Sequence, residues 1–375
     1  MRYFLIAGEQ SGDLHGSNLI RELLIADPGA EIFCWGGDLM ASAGAKLLMH
    51  YKETAFMGFV TILLNLRKIL GNISACRKDI SEINPDVLIL IDYPGFNLRI
   101  AKFGKTEGIR IFYYISPKLW AWKESRVEKI RKYVDRMFII FPFEVNFYEK
   151  HGIQVAYYGN PLVDEIEKKK ILHHDTELIK KNLGLDERPV ITMLAGSRKH
   201  EVGHILPKML TAVKHFPGYQ FVLAGVSSLP GILYEKIIGD LPVKVYTDKT
   251  YELLSIAEAA LIKSGTSTLE AALFGVPQVV CYKGDSISFA IARRLVKVRF
   301  ISLVNLIMGK EVVKELIQFL LTEENIVGEL SVILKNGPAR QRMIAEYDDL
   351  KQILGPEGAS RRIALEMVRE IQHGS

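Results

Sequence analysis

The chain has 375 residues, of which 49% are hydrophobic and 24% are charged. This composition is typical of a well-packed globular protein and excludes a disordered or fibrous one. The length favours two domains rather than one. The formal net charge of +5 is too small to indicate nucleic-acid binding, although it allows attraction to anionic substrates or lipid headgroups.

The three cysteines, Cys34, Cys76 and Cys281, are far apart and lie in apolar stretches. Their spacing fits neither a metal site nor a disulfide framework, so we expect a reducing cytoplasm. No uninterrupted apolar run reaches about 18 residues, and no membrane-spanning helix is expected. The first apolar run is too short for a signal peptide.

The first half of the chain alternates apolar runs with helical patterns. The runs predict strands at Tyr3–Ala7, Glu31–Trp35, Asp86–Ile91, Ile109–Ile115, Arg136–Ile140 and Gln154–Tyr158. Helices are predicted between them, including Asp38–Gly44 and Ile73–Ile83. Regular alternation of this kind predicts βαβ units and a parallel sheet with helices on both faces.

A charged stretch, Glu165–Lys181, separates this half from a second alternating series. The second series predicts strands at Val190–Leu194, Gln220–Leu223, Val243–Val245, Ala259–Ile262 and Pro277–Cys281. From Lys310 onward the pattern is helical and predicts no strand. We therefore predict two doubly wound Rossmann-like domains facing a cleft, residues 1–163 and 164–354. Residues 355–375 are expected to form a helix on the first domain or on a partner chain.

A phosphate-binding turn is predicted after the first strand of the second domain. The apolar run Val190–Leu194 ends at Gly196 and Ser197, and a helical pattern follows. The free N–H groups at the start of that helix would face an anion above the sheet. Arg198 adds a guanidinium whose fork suits phosphate oxygens. The alternative is an ordinary strand-to-helix turn with a solvated arginine.

A second donor-rich turn follows the strand Ala259–Ile262. Its small and hydroxyl-bearing residues, Ser264, Gly265, Thr266 and Ser267, offer hydroxyl and N–H donors to a phosphate. Glu270, one turn into the next helix, could accept hydrogen bonds from two ribose hydroxyls. The alternative is simple helix capping, with Glu270 as a first-turn carboxylate.

Several common nucleotide motifs are missing from the sequence. Neither half has Gly-x-Gly-x-x-Gly after its first strand, which disfavours dinucleotide binding, and there is no Gly-Lys-Ser/Thr motif. There is also no Asp-x-Asp pair and no His/Cys cluster with metal spacing. We therefore expect no metal or other cofactor, and any bound diphosphate must be neutralised by protein donors.

Asp92 is the candidate general base in the first half. It directly follows the buried run Val87–Ile91, and a carboxylate at the carboxyl end of a parallel strand opens onto the predicted cleft. The equally weighted alternative is that Asp92 caps the following helix.

Two loops of the first half are candidates for contacting a second substrate. The loop after the first strand carries polar residues at Glu9, Ser11, Gly12, Asp13 and His15. A later loop begins at Ser116 and contains Trp120 and Trp122. These indoles suit either a ligand wall or a hydrophobic core.

Two segments are candidates for contact with a membrane or with acyl chains. The apolar segment contributes Phe56, Met57, Phe59, Val60, Leu63 and Leu64, and a basic helical pattern contributes Arg293, Arg294 and Lys297. An amphipathic basic helix can lie on an anionic bilayer surface. A solvated basic helix face is the alternative for the second segment.

Taken as a set, the motifs resemble the lipid A disaccharide synthase family. The resemblance rests on five stretches, namely Ala7–Gly16, Ser116–Pro117 with Trp120–Trp122, Phe141–Glu144, Gly196–Arg198 with Glu201–Val202, and Ser264–Thr266 with Glu270. Each motif is weak alone and specific in combination. The resemblance implies a GT-B type, metal-independent, inverting glycosyltransferase of bacterial lipopolysaccharide synthesis.

The resemblance also implies the substrates and several residue roles. The donor would be UDP-2,3-diacylglucosamine, bound by the second domain, and the acceptor 2,3-diacylglucosamine 1-phosphate, bound by the first. The products would be the β(1→6)-linked lipid A disaccharide 1-phosphate and UDP. Asp92 would be the base, Arg198 the diphosphate ligand, and Asn305 a catalytic residue near the active site. The enzyme would act as a peripheral protein on the cytoplasmic face of the inner membrane.

Three positions depart from the family's pattern. Ala195 and Val304 stand where proline is frequent, and Asn160 stands where histidine often follows glycine. The first two changes remove backbone stiffening rather than reactive groups. Oligomeric state is left open, with a homodimer that exchanges its C-terminal segment as one possibility.

Other functions remain open on the sequence. One is another GT-B transferase that uses UDP-N-acetylglucosamine, and another is a UDP-sugar 2-epimerase, which would have no acceptor site. A non-catalytic nucleotide-sugar or lipid-binding protein would bind UDP without turnover.

Overall fold

A computed structural model describes residues 1–54, 66–117, 126–284, 299–334 and 336–373 of the chain. The described residues divide into two compact units. Unit 1 comprises Met1–Asp164 together with Leu354–Ser375, and unit 2 comprises Glu165–Ile353. Each unit is built on one sheet in which all the strand pairs are parallel.

Unit 1 has a seven-stranded sheet in the order β3-β2-β1-β4-β5-β6-β7. The strands are β1 Arg2–Ala7, β2 Glu31–Gly36, β3 Lys46–His50, β4 Val87–Ile91, β5 Arg110–Tyr114, β6 Arg136–Ile139 and β7 Val155–Tyr157. The helices are α1 Gln10–Ala26, α2 Asp38–Ser42, α3 Tyr51–Thr54, α4 Leu66–Ile83, α5 Pro94–Thr106, α6 Val127–Tyr133, α7 Phe143–Lys150 and α8 Pro161–Leu172. Helix α8 crosses the boundary between the two units.

Unit 2 has a six-stranded sheet in the order β10-β9-β8-β11-β12-β13. The strands are β8 Val190–Leu194, β9 Gln220–Gly225, β10 Val243–Thr247, β11 Ala257–Lys263, β12 Gln278–Tyr282 and β13 Lys314–Ile317. The helices are α9 Thr176–Asn182, α10 Lys199–Leu210, α11 Gly231–Ile238, α12 Thr250–Ser255, α13 Thr266–Leu273, α14 Leu303–Met308, α15 Glu323–Leu334 and α16 Pro338–Leu354. Short 3₁₀ turns lie at Val213–His215 and Gln318–Leu320.

The last helix, α17 Ala359–His373, belongs to unit 1 and packs on α1. Three of its apolar residues, Ile363, Ala364 and Met367, are fully buried. Met367 lies four and three residues after Ile363 and Ala364, so the three share one face of the helix and make it apolar. Asp164 accepts hydrogen bonds from the N–H groups of Gly358 and Ser360 and so fastens the start of this helix.

The central strands are the best buried parts of both sheets. All five residues of β4 and all five of β8 are buried, as expected for strands covered by helices on both faces. The predicted doubly wound α/β fold class is thereby confirmed for each unit. The statement that no strand follows Lys310 is wrong, because β13 pairs with β12 at one edge of the sheet. Strand β3, at an edge of the other sheet, was also not predicted.

Candidate active site

The two donor-rich turns of unit 2 lie side by side. Strands β8 and β11 are hydrogen-bonded neighbours, with Leu194 opposite Ile262. From β8 the sheet continues to β9 and β10 on one side and to β11, β12 and β13 on the other. The carboxyl ends of β8 and β11 therefore form the topological switch point of the sheet, where doubly wound folds bind ligands.

The first turn folds around the carboxylate of Glu201. Gly196 has a φ of 109°, and a Cβ added there would lie 2.6 Å from Glu201 Oε2. The same Oε2 accepts a hydrogen bond from the N–H of Ser197 at 3.3 Å. Arg198 follows in extended conformation and precedes α10, and its Nη1 donates to Glu201 Oε1 at 3.4 Å. Glycine is required at the first of these positions because a side chain would meet the carboxylate.

Lys263 joins the two turns, and the sequence analysis did not assign it to the site. Its Nζ lies 2.9 Å from Glu201 Oε1, the oxygen that Arg198 also contacts. Burial pushes the pKa of Glu201 upward, but the charges of Lys263 and Arg198 outweigh this and leave the pKa below its ordinary value. Two cations thus share one carboxylate at the switch point.

The second turn is held mainly by its own hydroxyl groups. Ser264 donates through Oγ to the carbonyl oxygen of Ile301 at 2.8 Å. Thr268 Oγ1 donates to the carbonyl oxygen of Gly265, also at 2.8 Å. Gly265 precedes α13, and Thr266 at the start of that helix is exposed. The N–H of Thr268 donates to the carbonyl oxygen of Gly265, whereas Thr266 and Ser267 lie too early in α13 for an i→i−4 partner in the helix, which suits their N–H groups to an anion.

Glu270 is the acidic residue of the second turn. Tyr251 donates its hydroxyl to Glu270 Oε1 at 3.0 Å. Burial raises the pKa of Glu270, against the lowering effect of hydrogen bonds from Tyr251 and Ser267, and Glu165 adds a further raising effect. The carboxylate is thus fixed in place, with a pKa above its ordinary value.

The switch point of unit 1 lies between β1 and β4. Strand β1 leads to β2 and β3 on one side and pairs with β4 on the other, with Ala7 opposite Ile91. The turns after these strands touch each other. A Cβ added at Gly8 would lie 2.3 Å from the ring of Tyr93. The predicted general base, Asp92, therefore adjoins the Gly8–Glu9 loop.

Asp92 and Tyr93 both have a left-handed backbone, with φ values of 42° and 46°. The backbone of Asp92 is held by three hydrogen bonds. Its N–H donates to the carbonyl oxygen of Tyr114, and its carbonyl oxygen accepts from Asn97 Nδ2 at 2.8 Å and from the Tyr113 hydroxyl at 2.5 Å. Left-handed non-glycine residues cost about 1–3 kcal/mol each and cluster at functional sites. Helix α5 starts at Pro94, with Tyr93 rather than Asp92 as its N-cap residue.

The predicted acceptor residues of the first loop divide into two groups. Glu9 is half-buried, and Ser11 is exposed and donates to Glu9 Oε1 at 3.0 Å. Gly12, Asp13 and His15 are buried in α1. The carboxylate of Asp13 accepts hydrogen bonds from the N–H groups of Gly37, Leu39 and Met40 at 2.8–3.1 Å and so caps α2.

Gly12 and His15 also serve the packing of unit 1. A Cβ added at Gly12 would lie 3.1 Å from the Cβ of Ala7, so α1 approaches β1 closely there. Burial lowers the pKa of His15 to about 4. These contacts give Gly12, Asp13 and His15 structural roles, and acceptor binding by them stays a prediction.

Ser116, another predicted acceptor residue, lies in a buried hydrogen-bond network. Its Oγ donates to Glu144 Oε1 at 2.6 Å and accepts from the hydroxyl of Tyr148 at 3.1 Å. The other oxygen of Glu144 accepts from the N–H of Phe141. The Ser-Pro and Phe-Pro-Phe-Glu motifs, distant in the sequence, thus meet in the fold. Trp120 and Trp122 lie outside the described residues.

Asn305 is fully buried and its amide is fully engaged. Its Oδ1 accepts from the N–H groups of Val312 and Val313, and its Nδ2 donates to the Val313 carbonyl oxygen and to Glu315 Oε1. Glu315 in turn accepts from the N–H groups of Ile301 and Ser302. Asn305 therefore holds loop backbone together in this structure. Its predicted catalytic role stays a prediction.

The predicted membrane-contacting residues lie outside the described ranges. They are Phe56, Met57, Phe59, Val60, Leu63, Leu64, Arg293, Arg294 and Lys297. Within the described ranges, no helix combines the length and apolar character that crossing a bilayer requires. The same ranges contain no group of three or more His, Cys, Asp or Glu side chains arranged to hold a metal ion.

Two doubly wound parallel sheets in one chain define the GT-B class of α/β fold. Among solved structures, UDP-GlcNAc 2-epimerase from Neisseria meningitidis, bound to UDP-GlcNAc, superposes with a TM-score of 0.70 and 15% sequence identity. That comparison covers 98% of this chain and 100% of the epimerase. The calicheamicin glycosyltransferase gives a TM-score of 0.60 at 16% identity, covering 100% of this chain and 99% of the other. These likenesses concern the fold.

The chain belongs to the lipid-A-disaccharide synthetase family, whose sequence profile matches residues 3–367. A lipid-A-disaccharide synthase from Trichlorobacter lovleyi is 39% identical over 370 residues, which are 97% of this chain and 96% of the relative. One from Geobacter metallireducens is 38% identical and covers 97% and 95%. The predicted family is confirmed.

Proposed function

We propose that this chain is a lipid-A-disaccharide synthase. It transfers the diacylglucosaminyl group of UDP-2,3-diacylglucosamine to 2,3-diacylglucosamine 1-phosphate and releases UDP and the β(1→6)-linked disaccharide 1-phosphate. The observation that carries the proposal is family membership over residues 3–367, with relatives of that name matching nearly the whole chain. The chemistry below assigns steps to individual residues.

Unit 2 stabilises the leaving group. As the bond between the anomeric carbon and the diphosphate oxygen breaks, negative charge grows on UDP. Arg198, the turn at Gly196 and Ser197, and the turn Ser264–Ser267 present cations and N–H or hydroxyl donors at one place. Donors fixed where charge develops lower the barrier without reorganisation, and losing one costs roughly 10²–10³ in rate. We expect that loss for Arg198→Ala.

Unit 1 supplies the base. The carboxylate of Asp92 takes the proton of the acceptor's 6-hydroxyl while that oxygen forms a bond to the anomeric carbon of the donor. The oxygen approaches from the face opposite UDP, so one in-line displacement inverts the configuration at that carbon. General-base catalysis contributes about 10²–10⁴ in rate. Glu9, in the adjoining loop, and Ser11, in the first turn of α1, are proposed to contact the acceptor.

Glu270 is proposed to bind the ribose of UDP. An ionised carboxylate accepts two hydroxyl hydrogen bonds, and the contact with Tyr251 fixes one of its oxygens in place.

The decisive assay supplies both diacylglucosamine substrates without added metal and measures UDP and disaccharide. Asp92→Asn should lose at least a hundredfold in turnover and still bind UDP. The backbone of Asp92 is held through its own N–H and carbonyl groups, and asparagine tolerates positive φ, so the loop should survive. Asp248→Asn is the matched control, because Asp248 also has a left-handed backbone after a parallel strand.

The assay also separates the alternatives. If the protein converts the donor alone into its 2-epimer, it is an epimerase and not a transferase. If it binds UDP and forms no product, it is a binding protein. Near-normal turnover by folded Asp92→Asn would refute the role of Asp92.

Both substrates carry acyl chains, so we propose contact with the cytoplasmic face of the inner membrane. The contact is assigned to the apolar segment 56–64 and to the basic residues at 293–297. Replacing Arg293, Arg294 and Lys297 by glutamate should weaken sedimentation with anionic liposomes severalfold. Unchanged sedimentation would contradict the basic contact. Exchange of the C-terminal segment in a homodimer stays a prediction.

A further inference from the structure

The carboxylate of Glu201 is the common contact of both turns at the unit 2 switch point. It is only 8% exposed. One oxygen accepts from the N–H of Ser197, and the other lies 3.4 Å from Arg198 Nη1 and 2.9 Å from Lys263 Nζ. Because β8 and β11 are neighbouring strands, this single side chain ties the end of one strand to the turn after the other.

We propose that Glu201 is a positioning residue and that Lys263 is a second cation for the donor's diphosphate. The proposal rests on the function proposed above and adds two residues to it. Glu201 fixes the turn that carries Gly196 and Ser197, and it holds Arg198 and Lys263 at a common point. A nucleotide diphosphate bound without metal must be neutralised by protein groups, and Lys263 places a second cation beside Arg198.

The packing of Gly196 supports a positioning role. The turn wraps around the carboxylate so closely that a Cβ at Gly196 would lie 2.6 Å from its Oε2 and 3.0 Å from the Glu201 Cβ. A surface counter-ion does not shape the backbone in this way. Removing the carboxylate takes away a buried acceptor from the N–H of Ser197 and the common partner of both cations.

The competing explanation makes Glu201 a plain counter-ion that the diphosphate must displace. The two explanations predict opposite results for Glu201→Gln, which makes the site more positive by one charge. A counter-ion role predicts tighter UDP binding. A positioning role predicts weaker UDP binding despite the added positive charge, because glutamine has one acceptor oxygen instead of two and cannot serve both the Ser197 N–H and the two cations.

The experiment measures UDP binding by calorimetry and kcat and KM for both substrates. We expect Glu201→Gln to weaken UDP binding about fivefold or more and to lower kcat about tenfold, less than the loss of a direct oxyanion donor. Glu201→Asp, which keeps the charge on a shorter side chain, should recover part of kcat. Glu177→Gln is the matched control, since it makes the same charge change at a 72% exposed carboxylate in unit 2.

Lys263→Met tests the second cation and the coupling. Alone it should weaken UDP binding roughly fivefold or more. In the double variant with Glu201→Gln, the losses should be less than the product of the two single losses, because the side chains act through one another. Equal thermal stability of the variants, or partial recovery of kcat in Glu201→Asp, would show that the loss of UDP binding is not caused by misfolding.

UDP binding by Glu201→Gln that is unchanged or tighter, with kcat within twofold of the original, would overturn the positioning role. Unchanged binding in Lys263→Met would overturn the second cation. A protein that binds UDP but makes no disaccharide would refute the proposed function and leave the binding comparison intact.

Discussion

Asn305→Ala tests whether Asn305 acts in catalysis or only holds the surrounding loop together. The side-chain amide makes four hydrogen bonds in a fully buried place, two as acceptor and two as donor. Each such bond contributes about 1 kcal/mol net, and buried N–H groups left without a partner cost about 1–3 kcal/mol more. We expect a loss of about 3–5 kcal/mol in the stability of unit 2.

At roughly 2–4 °C per kcal/mol for a domain of this size, the midpoint of thermal unfolding should fall by about 10 °C. Calorimetry is the suitable measurement because it can resolve the transitions of two units. Asn325→Ala is the control, since that amide makes an exposed hydrogen bond to the carbonyl oxygen of Leu320 in the same unit. Its midpoint should move by less than about 2 °C.

Turnover, measured at a temperature where Asn305→Ala is folded, distinguishes the two roles. If the residue only holds the loop, turnover should recover to within about tenfold once the protein is folded. A variant with an unchanged midpoint and a hundredfold loss of turnover would refute the structural reasoning. It would place Asn305 in contact with substrate instead.

Three further predictions follow from single residues. Gly196→Ala should reduce turnover at least tenfold with little change in global stability, because the new Cβ would meet Glu201 and the φ of Gly196 is 109°. Enzyme assays and melting curves would show both effects. The pKa of His15 in the folded protein is about 4, below its ordinary value of 6.5. The unfolded state therefore binds this proton more readily, and the stability of the fold should fall as the pH drops from about 6.5 to 4. The loss is about 3 kcal/mol by linkage; urea titrations should show it, and His15→Gln should abolish it. UDP binding should weaken as the pH is lowered and Glu270, whose pKa is raised, takes up a proton. Calorimetry across pH should show Glu270→Gln binding weakly at every pH.

The fold was predictable wherever burial is complete. Strands such as β4 and β8 are apolar at every position because helices cover both faces, and such runs are visible in sequence. The two strands that were not predicted, β3 and β13, are edge strands. An edge strand pairs on one side only, and its mixed residues, Lys46–His50 and Lys314–Ile317, resemble the helical segments around them.

The site was predictable where the chain places small and polar residues directly after a strand. Asp92 and the turns at Gly196 and Ser264 were selected as candidates by that signal, and the structure places them at the switch points of the two sheets. Lys263 is visible in the sequence only as a lone lysine at the end of an apolar strand. Its role could not be predicted, because its partner Glu201 lies on another βα unit. Asn305 was predicted from the family resemblance alone, because its partners, loop backbone groups and the Glu315 side chain, are brought together only by the fold.

The backbone strain in unit 1 is concentrated next to the candidate base. Asp92 and Tyr93 after β4, and Ile115 after the neighbouring β5, are all left-handed, and a β-branched residue rarely adopts that conformation. The surrounding side chains and strands offset the cost, since Asn97 and Tyr113 hold the carbonyl oxygen of Asp92 and the N–H of Ile115 donates to β6. The backbone of Asp92 is therefore fixed by its own hydrogen bonds. An asparagine there changes the charge and keeps the geometry, which makes it a direct test of a proton acceptor at this strand end.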